Sequence, residues 1–379
     1  MVGLIAIGVQ IPALLTLTLL RRGGPVLAGA ALLTLIFLYS SVRNPFDRQP
    51  RSRLHVTLVL WPFYLWWTVC LTYFLFAPPA LLAALVTPIS LDHSLALAGA
   101  LSVVAGLAAL RRAPRIVRQP VAIADLPPEL EGYRIAQISD LHCGPFTPRE
   151  RVRRWVARTN ALGADLIAVT GDLITSGESY VAAVAEELGK LSARDGVWAC
   201  MGNHDYFTDG DQLAGALEAN GLRVLRNRGE TLARGAARLY LAGVDDTWTR
   251  RHDVAAALRA RPAGAPAVLL AHDPDLFVQA AGHGVDLTLS GHTHGGQFAV
   301  PGATRRWNLA RVMTRFTAGL FHDGRSTLYV SRGLGTTGPP VRLGARPEIA
   351  LLELRRAPVA EAHFHDLAEE VIREASRAG

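Results

Sequence analysis

The pattern of apolar and polar positions divides this chain of 379 residues into two unlike parts. The N-terminal part holds long, nearly uncharged apolar runs, whereas the part after Gly132 alternates short apolar stretches with polar turns. Because a helix needs roughly 20 apolar residues to cross a bilayer, the long runs predict membrane spans. The runs are Val2–Leu20, Pro25–Val42, His55–Phe76 and Ser94–Leu110. They predict an α-helical transmembrane domain of about four spans over residues 1–118.

Two segments of this domain have a second interpretation. Val2–Leu20 could be a cleaved signal peptide, but no basic residue precedes the run and a second apolar run follows at once. Pro78–Ile89 is also apolar, but its prolines predict a re-entrant or interfacial connection rather than a further span.

Arginines are distributed unequally around the predicted spans. With four spans, one side of the membrane carries only Arg21 and Arg22. The other side carries Arg43, Arg48, Arg51, Arg53, Arg111, Arg112, Arg115 and Arg118. Since basic loops stay in the cytoplasm, this imbalance predicts that both termini and the C-terminal part of the chain are cytoplasmic. An odd number of spans would reverse that orientation.

The C-terminal part has the pattern of an α/β domain. Three prolines within Pro120–Pro128 predict a linker over 119–131, followed by a folded domain over 132–356 and a helical tail over 357–379. Short apolar runs of strand length are separated by segments of helical pattern. The main runs are Tyr133–Ser139, Asp165–Thr170, Gly196–Met201, Ala267–Ala271 and Asp286–Ser290.

Polar side chains that can bind metal follow these strands directly. They are Asp140, His142, Asp172, Asn203, His204, His272, His292 and His294. Open α/β sheets bind ligands beyond the carboxyl ends of their strands, and five of the twelve histidines fall there. Nitrogen and oxygen ligands of this kind suit Mn, Fe, Zn or Mg. The three cysteines lie far apart, which argues against a cysteine-ligated zinc and against a disulfide framework.

Several of these residues also have a plain structural interpretation. Asp140 and Asp172 could cap helices, and Asn203 could form a turn. His272 could lie behind the direct ligands instead of among them. The residues expected to be structural are Cys143, Asp205 and Asp246.

Five short motifs occur along the folded domain in the order ISDLHCG, TGDLI, MGNHDYF, LAHDP and LSGHTHGGQ. Together, over Tyr133–Leu354, they resemble the motifs of the calcineurin-like metallophosphoesterase family. The HGGQ extension and the preceding apolar runs are similar to the bacterial, membrane-associated, YkuE-like branch of that family. The resemblance implies that 132–356 is a catalytic domain with a two-sheet αββα sandwich and a dinuclear metal centre.

The resemblance divides the polar residues between two divalent ions. One ion would be held by Asp140, His142, Asp172 and His294. The other would be held by Asp172, Asn203, His272 and His292. The position of Asp172, between the other ligand groups along the sheet, also favours it as the bridge. Two such ions would hold a metal-bridging hydroxide that attacks phosphorus at neutral pH.

The resemblance gives His204 a separate role. It would stabilise the transition state and protonate the leaving oxygen, without binding metal. In many relatives an aspartate three residues after the bridging one orients this histidine. Here that position is Thr175, so the sequence departs from the family pattern at this point.

The residues and the resemblance predict a membrane-anchored, metal-dependent phosphoester hydrolase. The apolar runs favour a lipid-linked phosphodiester or pyrophosphate substrate, such as one of the UDP-diacylglucosamine type. A soluble cyclic nucleotide or other small phosphodiester is the alternative substrate, and a non-catalytic metal-binding module is the alternative function. The net charge of +7 could suggest nucleic acid, but many arginines flank apolar runs, which argues against that partner. The oligomeric state stays open.

The segment Pro301–Phe321 interleaves arginines with apolar side chains. One interpretation is an amphipathic helix or loop that covers the sheet. The other is a cap over the site that binds anionic head groups or lies at the membrane surface.

Overall fold

The computed structural model describes residues 7–19, 24–43, 51–110, 113–207, 209–300 and 302–357. By internal contacts the chain divides into two units. One comprises Met1–Arg112 with Thr337–Leu343, and the other comprises Ala113–Thr336 with Gly344–Gly379. The predicted helical tail lies outside the described residues from position 358 onward.

The first unit is helical. Its described helices are α1 (Ile11–Leu19), α2 (Gly24–Arg43), α3 (Arg53–Val86) and α4 (Leu91–Ala108). Among the described residues, α2, α3 and α4 are long and apolar enough to cross a membrane. The first predicted span lies partly outside the described residues, and its described helix has 9 residues. The structure therefore contains three apolar helices of spanning length, and a fourth span rests on the sequence.

The prediction of a connection at Pro78–Ile89 was wrong for most of that segment. Helix α3 continues through Pro78 and Pro79 and ends at Val86. Proline removes one backbone hydrogen bond and would break an isolated helix. Apolar helices in lipid retain such prolines because their other backbone groups have no water to bind. The apolar sequence of α3 agrees with that case, and both prolines are exposed on its surface.

The second unit contains two six-stranded sheets. In chain order its strands are β1 (Arg115–Ile123), β2 (Arg134–Ile138), β3 (Leu166–Thr170), β4 (Val197–Cys200), β5 (Arg223–Val224), β6 (Arg228–Arg234), β7 (Ala237–Gly243), β8 (Ala267–Leu270), β9 (Leu287–Ser290), β10 (Gly319–Asp323), β11 (Ser326–Val330) and β12 (Glu348–Arg356). The sheet orders are β1-β12-β2-β3-β4-β5 and β10-β11-β9-β8-β7-β6, and both sheets are mixed.

Helices cover the outer face of each sheet. They are α5 (Arg149–Asn160), α6 (Val181–Leu188), α7 (Gly210–Ala219), α8 (Val254–Leu258) and α9 (Phe277–Gly282). Successive strand residues point to opposite faces. Thus Ile135 packs in the core between the sheets, whereas Ala136 packs against Trp155 of α5 and its neighbours. This layering confirms the predicted two-sheet α/β sandwich.

The predicted linker over 119–131 was wrong at its N-terminal end. Residues 115–123 form β1, which pairs in parallel with β12 from Arg115↔Glu348 to Ile123↔Arg356. Strand β1 lies at the edge of its sheet, where Pro120 can be accommodated without a ladder hydrogen bond. A soluble fragment that began at Pro120 would therefore lose the first half of this strand.

A buried carboxylate joins α5 to α6. The Glu187 side chain is fully buried and accepts hydrogen bonds from Arg153 and Lys190, at 2.9 and 2.8 Å, and from Arg149. Its hydrogen bond from Arg153 is the largest influence, and with those from Lys190 and Arg149 it outweighs the effect of burial. Together they lower the pKa of Glu187 from 4.5 to about 2.

We expect Glu187→Gln to destabilise the second unit by about 1–2 kcal/mol at pH 7, because charge-assisted hydrogen bonds are lost. A lowered pKa means that the stabilisation is fully present above pH 4.5 and disappears as the pH falls toward 2. The difference in thermal unfolding midpoint between wild type and Glu187→Gln should therefore be smaller at pH 3 than at pH 7. Glu186→Gln, at a half-exposed neighbouring position, is the control and should have a smaller effect. A difference in midpoint that is equal at both pH values would contradict this account.

Candidate metal centre

The loops that follow five strands bring the predicted side chains to one place. Asp140 and His142 follow β2, Asp172 follows β3, and Asn203 and His204 follow β4 in the first sheet. His272 follows β8, and His292 and His294 follow β9 in the second sheet. Contacts across the two sheets, such as 3.0 Å between the Nε2 atoms of His142 and His294, make this a single site.

The backbone at this site adopts an unusual conformation. Among the described residues, nine that are not glycine have a positive φ, and five of them are predicted ligands. These five are Asp140, His142, Asp172, His292 and His294, with φ of 51°, 47°, 55°, 70° and 53°. Side chains other than glycine enter this region at a cost, so the surrounding structure holds the loops there. Such concentrated strain is typical of a functional site.

One cluster of possible metal ligands consists of Asp140, His142 and His294, all buried. The Nε2 atom of His294 lies 3.4 Å from Oδ1 of Asp140. The backbone N–H of His292 donates to the same carboxylate at 3.0 Å, which fixes its orientation. Two imidazole nitrogens and one carboxylate oxygen thus converge on a common point.

A second cluster consists of Asp172, His272 and His292. The Nε2 atom of His272 lies 3.3 Å from Oδ2 of Asp172 and 3.3 Å from Nδ1 of His292. The same Oδ2 atom lies 3.5 Å from Nε2 of His142 in the first cluster. One carboxylate oxygen therefore faces both clusters.

The electrostatics of Asp172 favour a cation at this point. Burial opposes ionisation, but the charges of His272 and His204 outweigh it and hold the pKa of Asp172 well below its usual range. Burial likewise opposes protonation of His272, and the charge of Asp172 outweighs it and raises the pKa of His272 to about 10. The site thus stabilises positive charge beside Asp172, whether on an imidazole or on a bound ion.

Asn203 provides a direct test of whether a metal fits. Its side chain is buried, and its Oδ1 atom has no hydrogen-bond partner among the residues that the structure describes. Leaving a buried amide oxygen unpaired costs about 1–3 kcal/mol, and binding a cation would satisfy it. The histidine, carboxylate and amide groups also form a donor set suited to divalent ions such as Mn, Fe, Zn or Mg. The residues present fit a metal centre.

His204 lies at the edge of this centre and is half-buried. Its Nδ1 atom lies 2.8 Å from the backbone oxygen of Thr175. Because a carbonyl oxygen can only accept, Nδ1 carries the proton and Nε2 is left for the site. The backbone N–H of His204 also donates to Oδ1 of Asp172 at 2.9 Å. A backbone carbonyl therefore orients His204 where an aspartate was expected from the family pattern.

Asp205 stabilises the loops of the site and belongs to neither ligand cluster. Its buried carboxylate accepts hydrogen bonds from the backbone N–H groups of Gly202, Asp172 and Leu173, at 2.9, 3.0 and 2.8 Å. Burial and the nearby charge of Asp172 raise the pKa of Asp205 to about 7. The structural role predicted for this residue agrees with these contacts.

Gly291 allows the closest approach of the two sheets at the site. A Cβ atom there would overlap the side chains of Ser139 and Asp140. We expect Gly291→Ala to displace Asp140 and lower turnover by about 10²-fold, the usual effect of a displacement near 1 Å at a reacting centre. Gly282→Ala is the control, since a Cβ atom at Gly282 meets nothing within 4 Å. Equal turnover in the two variants, measured on a small phosphodiester, would contradict this role.

One residue beside the site was missed by the sequence analysis. Trp248 lies in the loop after β7, is 61% exposed, and its ring centroid is 6.3 Å from that of His292. A single tryptophan in a polar loop carries no motif or periodic signal. Only the folded structure places it beside a predicted ligand.

Comparison with known proteins agrees with this geometry. Residues 133–296 match the model of the calcineurin-like phosphoesterase family. A transmembrane protein with metallophosphoesterase domain from Danio rerio is 34% identical over 266 residues, covering 66% of this chain and 60% of the relative. The uncharacterized metallophosphoesterase YkuE of Bacillus subtilis is 33% identical over 236 residues, covering 61% of this chain and 82% of the relative.

A third relative, an uncharacterized metallophosphoesterase of Helicobacter pylori strain J99, is 31% identical over 248 residues and is covered over 64% of its length. The chain thus spans less than two thirds of the Danio rerio and Helicobacter pylori relatives. Its match to YkuE covers most of that protein. The residues that match the family model, 133–296, include all the predicted ligands. This chain belongs to the calcineurin-like phosphoesterase family, in a group whose relatives include YkuE.

Proposed function

We propose that this protein is a membrane-anchored phosphoesterase that binds two divalent metal ions and hydrolyses a phosphodiester or pyrophosphate bond. The observation that carries the proposal is the position of Oδ2 of Asp172, within 3.5 Å of an imidazole nitrogen in each cluster. One ion would be held by Asp140, His142, Asp172 and His294. The other would be held by Asp172, Asn203, His272 and His292.

When bound, such a pair of ions supplies a nucleophile at neutral pH and neutralises charge on the phosphoryl oxygens. The ions are Mn, Fe, Zn or Mg on the basis of the donor set. His204 acts from the side as the proton donor to the leaving oxygen. Its Nδ1–H bond to the Thr175 carbonyl holds the ring in place, and its Nε2 atom carries the transferred proton. This is a general acid whose orientation comes from the backbone.

The arrangement of basic residues supports a bacterial inner-membrane location with the metal centre in the cytoplasm. Arg43 ends α2, Arg51 lies two residues before α3 and Arg53 begins it, and Arg115 and Arg118 lie in β1. If α3 and α4 each cross the membrane once, these positions share one side of it, whether or not α1 belongs to a span. The positive-inside rule then places that side in the cytoplasm.

A lipid-linked phosphodiester or pyrophosphate, of the UDP-diacylglucosamine type, is the substrate class we favour. A chain held in the membrane by apolar helices meets amphiphilic molecules at high local concentration. Exposed Trp248 beside His292 supplies a flat apolar surface near the metal centre. Aromatic faces of this kind suit a base or an acyl chain next to the reacting phosphate.

The test is hydrolysis of bis(p-nitrophenyl) phosphate by the full-length protein purified in detergent. EDTA should abolish turnover, and Mn²⁺ or Mg²⁺ added back should restore it. Lipid-linked pyrophosphates and cyclic nucleotides at equal concentration then separate the two substrate classes. A higher kcat/KM for the cyclic nucleotide would overturn the lipid-linked assignment. Turnover that persists after complete removal of metal would overturn the mechanism.

A further inference from the structure

A second functional surface lies in the loop Gly302–Phe316, here called the arginine-apolar loop. Sequence patterns left its conformation open between a helix and a loop. The structure shows a loop with one short 3₁₀ turn, Leu309–Val312. Four large apolar side chains project from it into solvent, with exposed fractions of 61%, 54%, 88% and 65%. They are Trp307, Leu309, Val312 and Met313.

The exposed side chains stand on an ordered base. Phe316 is buried, and its ring lies 5.6 Å from that of Phe277 and 5.2 Å from that of Phe321. Ala310 is also buried beneath the turn. The apolar residues are therefore presented by a fixed scaffold, because these buried contacts hold the loop from below.

The loop is also strongly basic. It carries Arg305, Arg306, Arg311 and Arg315 and no acidic residue. The Arg305 guanidinium lies 4.3 Å from the ring centroid of Phe321, and that of Arg315 lies 4.7 Å from the ring centroid of Phe316. Contacts with aromatic rings thus hold the Arg305 and Arg315 guanidinium groups near the exposed apolar side chains. Exposed apolar side chains flanked by cations match the boundary between acyl chains and anionic head groups.

The loop is joined directly to the metal-binding backbone. Backbone hydrogen bonds of 3.1 Å from Leu309 to Phe298 and of 2.9 Å from Val300 to Trp307 tie it to the segment after His294. A Cβ atom at Gly296 would lie 2.7 Å from Cβ of Asn308, so the two segments touch. The loop therefore packs against the backbone that follows His294.

We propose that the arginine-apolar loop docks onto the surface of an anionic lipid bilayer. Trp307, Leu309, Val312 and Met313 enter the boundary between head groups and acyl chains, and the arginines bind lipid phosphates. A bilayer fits better than a polypeptide partner because the chain carries apolar helices of membrane-spanning length and the loop charge is uniformly positive. The proposal concerns binding and does not require that the metal centre be catalytic.

The test uses a fluorescent probe on the full-length protein in lipid nanodiscs. The three native cysteines are buried, so Met313→Cys can be labelled selectively with an NBD maleimide. In nanodiscs rich in phosphatidylglycerol, doxyl-labelled lipid should reduce the probe emission by about two-fold or more, as expected for a side chain at the acyl boundary. Ala233→Cys is the control and should show no such quenching. Ala233 is exposed on β6, which forms the edge of the second sheet opposite to β10, the strand that follows the loop.

Three further measurements make the result decisive. Val312→Cys should reproduce the quenching, and replacing phosphatidylglycerol by phosphatidylcholine should weaken it because the arginines lose their anionic partners. Adding Asp172→Asn should leave the quenching unchanged, which separates lipid docking from hydrolysis. Equal quenching at positions 313 and 233, or none at 312 and 313, would overturn the proposal. The latter result would show that the loop faces water or another protein.

Discussion

The Asp172→Asn variant should lose bound metal and phosphodiester turnover together, with turnover reduced by at least about 10³-fold. A single group that stabilises transition-state charge is already worth about 10²–10³-fold, and this carboxylate faces both ligand clusters. Its Oδ2 atom lies 3.5 Å from Nε2 of His142 and 3.3 Å from Nε2 of His272. An amide cannot supply the negative charge that a metal ion in either cluster would require. The measurement is kcat/KM together with metal content of the same preparation.

Asp246→Asn is the matched control for this prediction. Asp246 is also a buried aspartate, but its carboxylate accepts a hydrogen bond from the backbone N–H of Thr249 at 2.8 Å and belongs to neither cluster. Its substitution should leave metal content intact. His294→Ala, by contrast, should behave like Asp172→Asn. Full turnover in Asp172→Asn would contradict the assignment of the bridge.

The His204→Gln variant should separate chemistry from metal binding. Loss of a general acid lowers kcat by about 10²–10⁴-fold, whereas the ligand clusters should retain their ions. The Nδ1 bond to the Thr175 carbonyl places this ring beside the site, 4.6 Å from the ring of His142. Metal content equal to that of wild type, with a low kcat, is the expected result.

The leaving group provides a second readout for His204. p-Nitrophenolate leaves readily without protonation, whereas an alkoxide requires a proton. The defect of His204→Gln should therefore be smaller for a p-nitrophenyl ester than for an alkyl phosphodiester. Equal defects for both substrates would show that His204 does not donate this proton. Loss of metal in the variant would instead show that His204 is a ligand, a role that its proximity to Asp172 and His142 also permits.

Much of the candidate site was predictable because its signals are local. Each ligand lies within a few residues of the end of a short apolar strand, and the topology of parallel strands brings such ends together. The pair His292 and His294 illustrates this, since each histidine joins a different cluster. The two histidines themselves adopt φ values of 70° and 53°, a backbone conformation that the spacing of the motif did not reveal.

Features that depend on distant partners were not predictable from local patterns. The part of strand β1 from position 119 onward, which contains Pro120, was interpreted as a linker. The pairing of β1 with β12 was not predictable locally, because it joins residues far apart in the chain, such as Arg115 and Glu348. Helix α3 likewise continues through Pro78 and Pro79, where the local pattern predicted a break. The acceptor for His204 is a backbone oxygen, which any residue at position 175 could supply. Side-chain identity therefore could not reveal it.

The most direct test of the central claim is metal content measured beside turnover in one sample of the full-length protein. Elemental analysis after purification, after EDTA treatment and after titration with Mn²⁺ would follow metal and hydrolysis of bis(p-nitrophenyl) phosphate together. The account predicts that turnover rises with bound metal, saturates at about two ions per chain, and stays absent in Asp172→Asn. Undiminished hydrolysis by protein that contains no metal would contradict it.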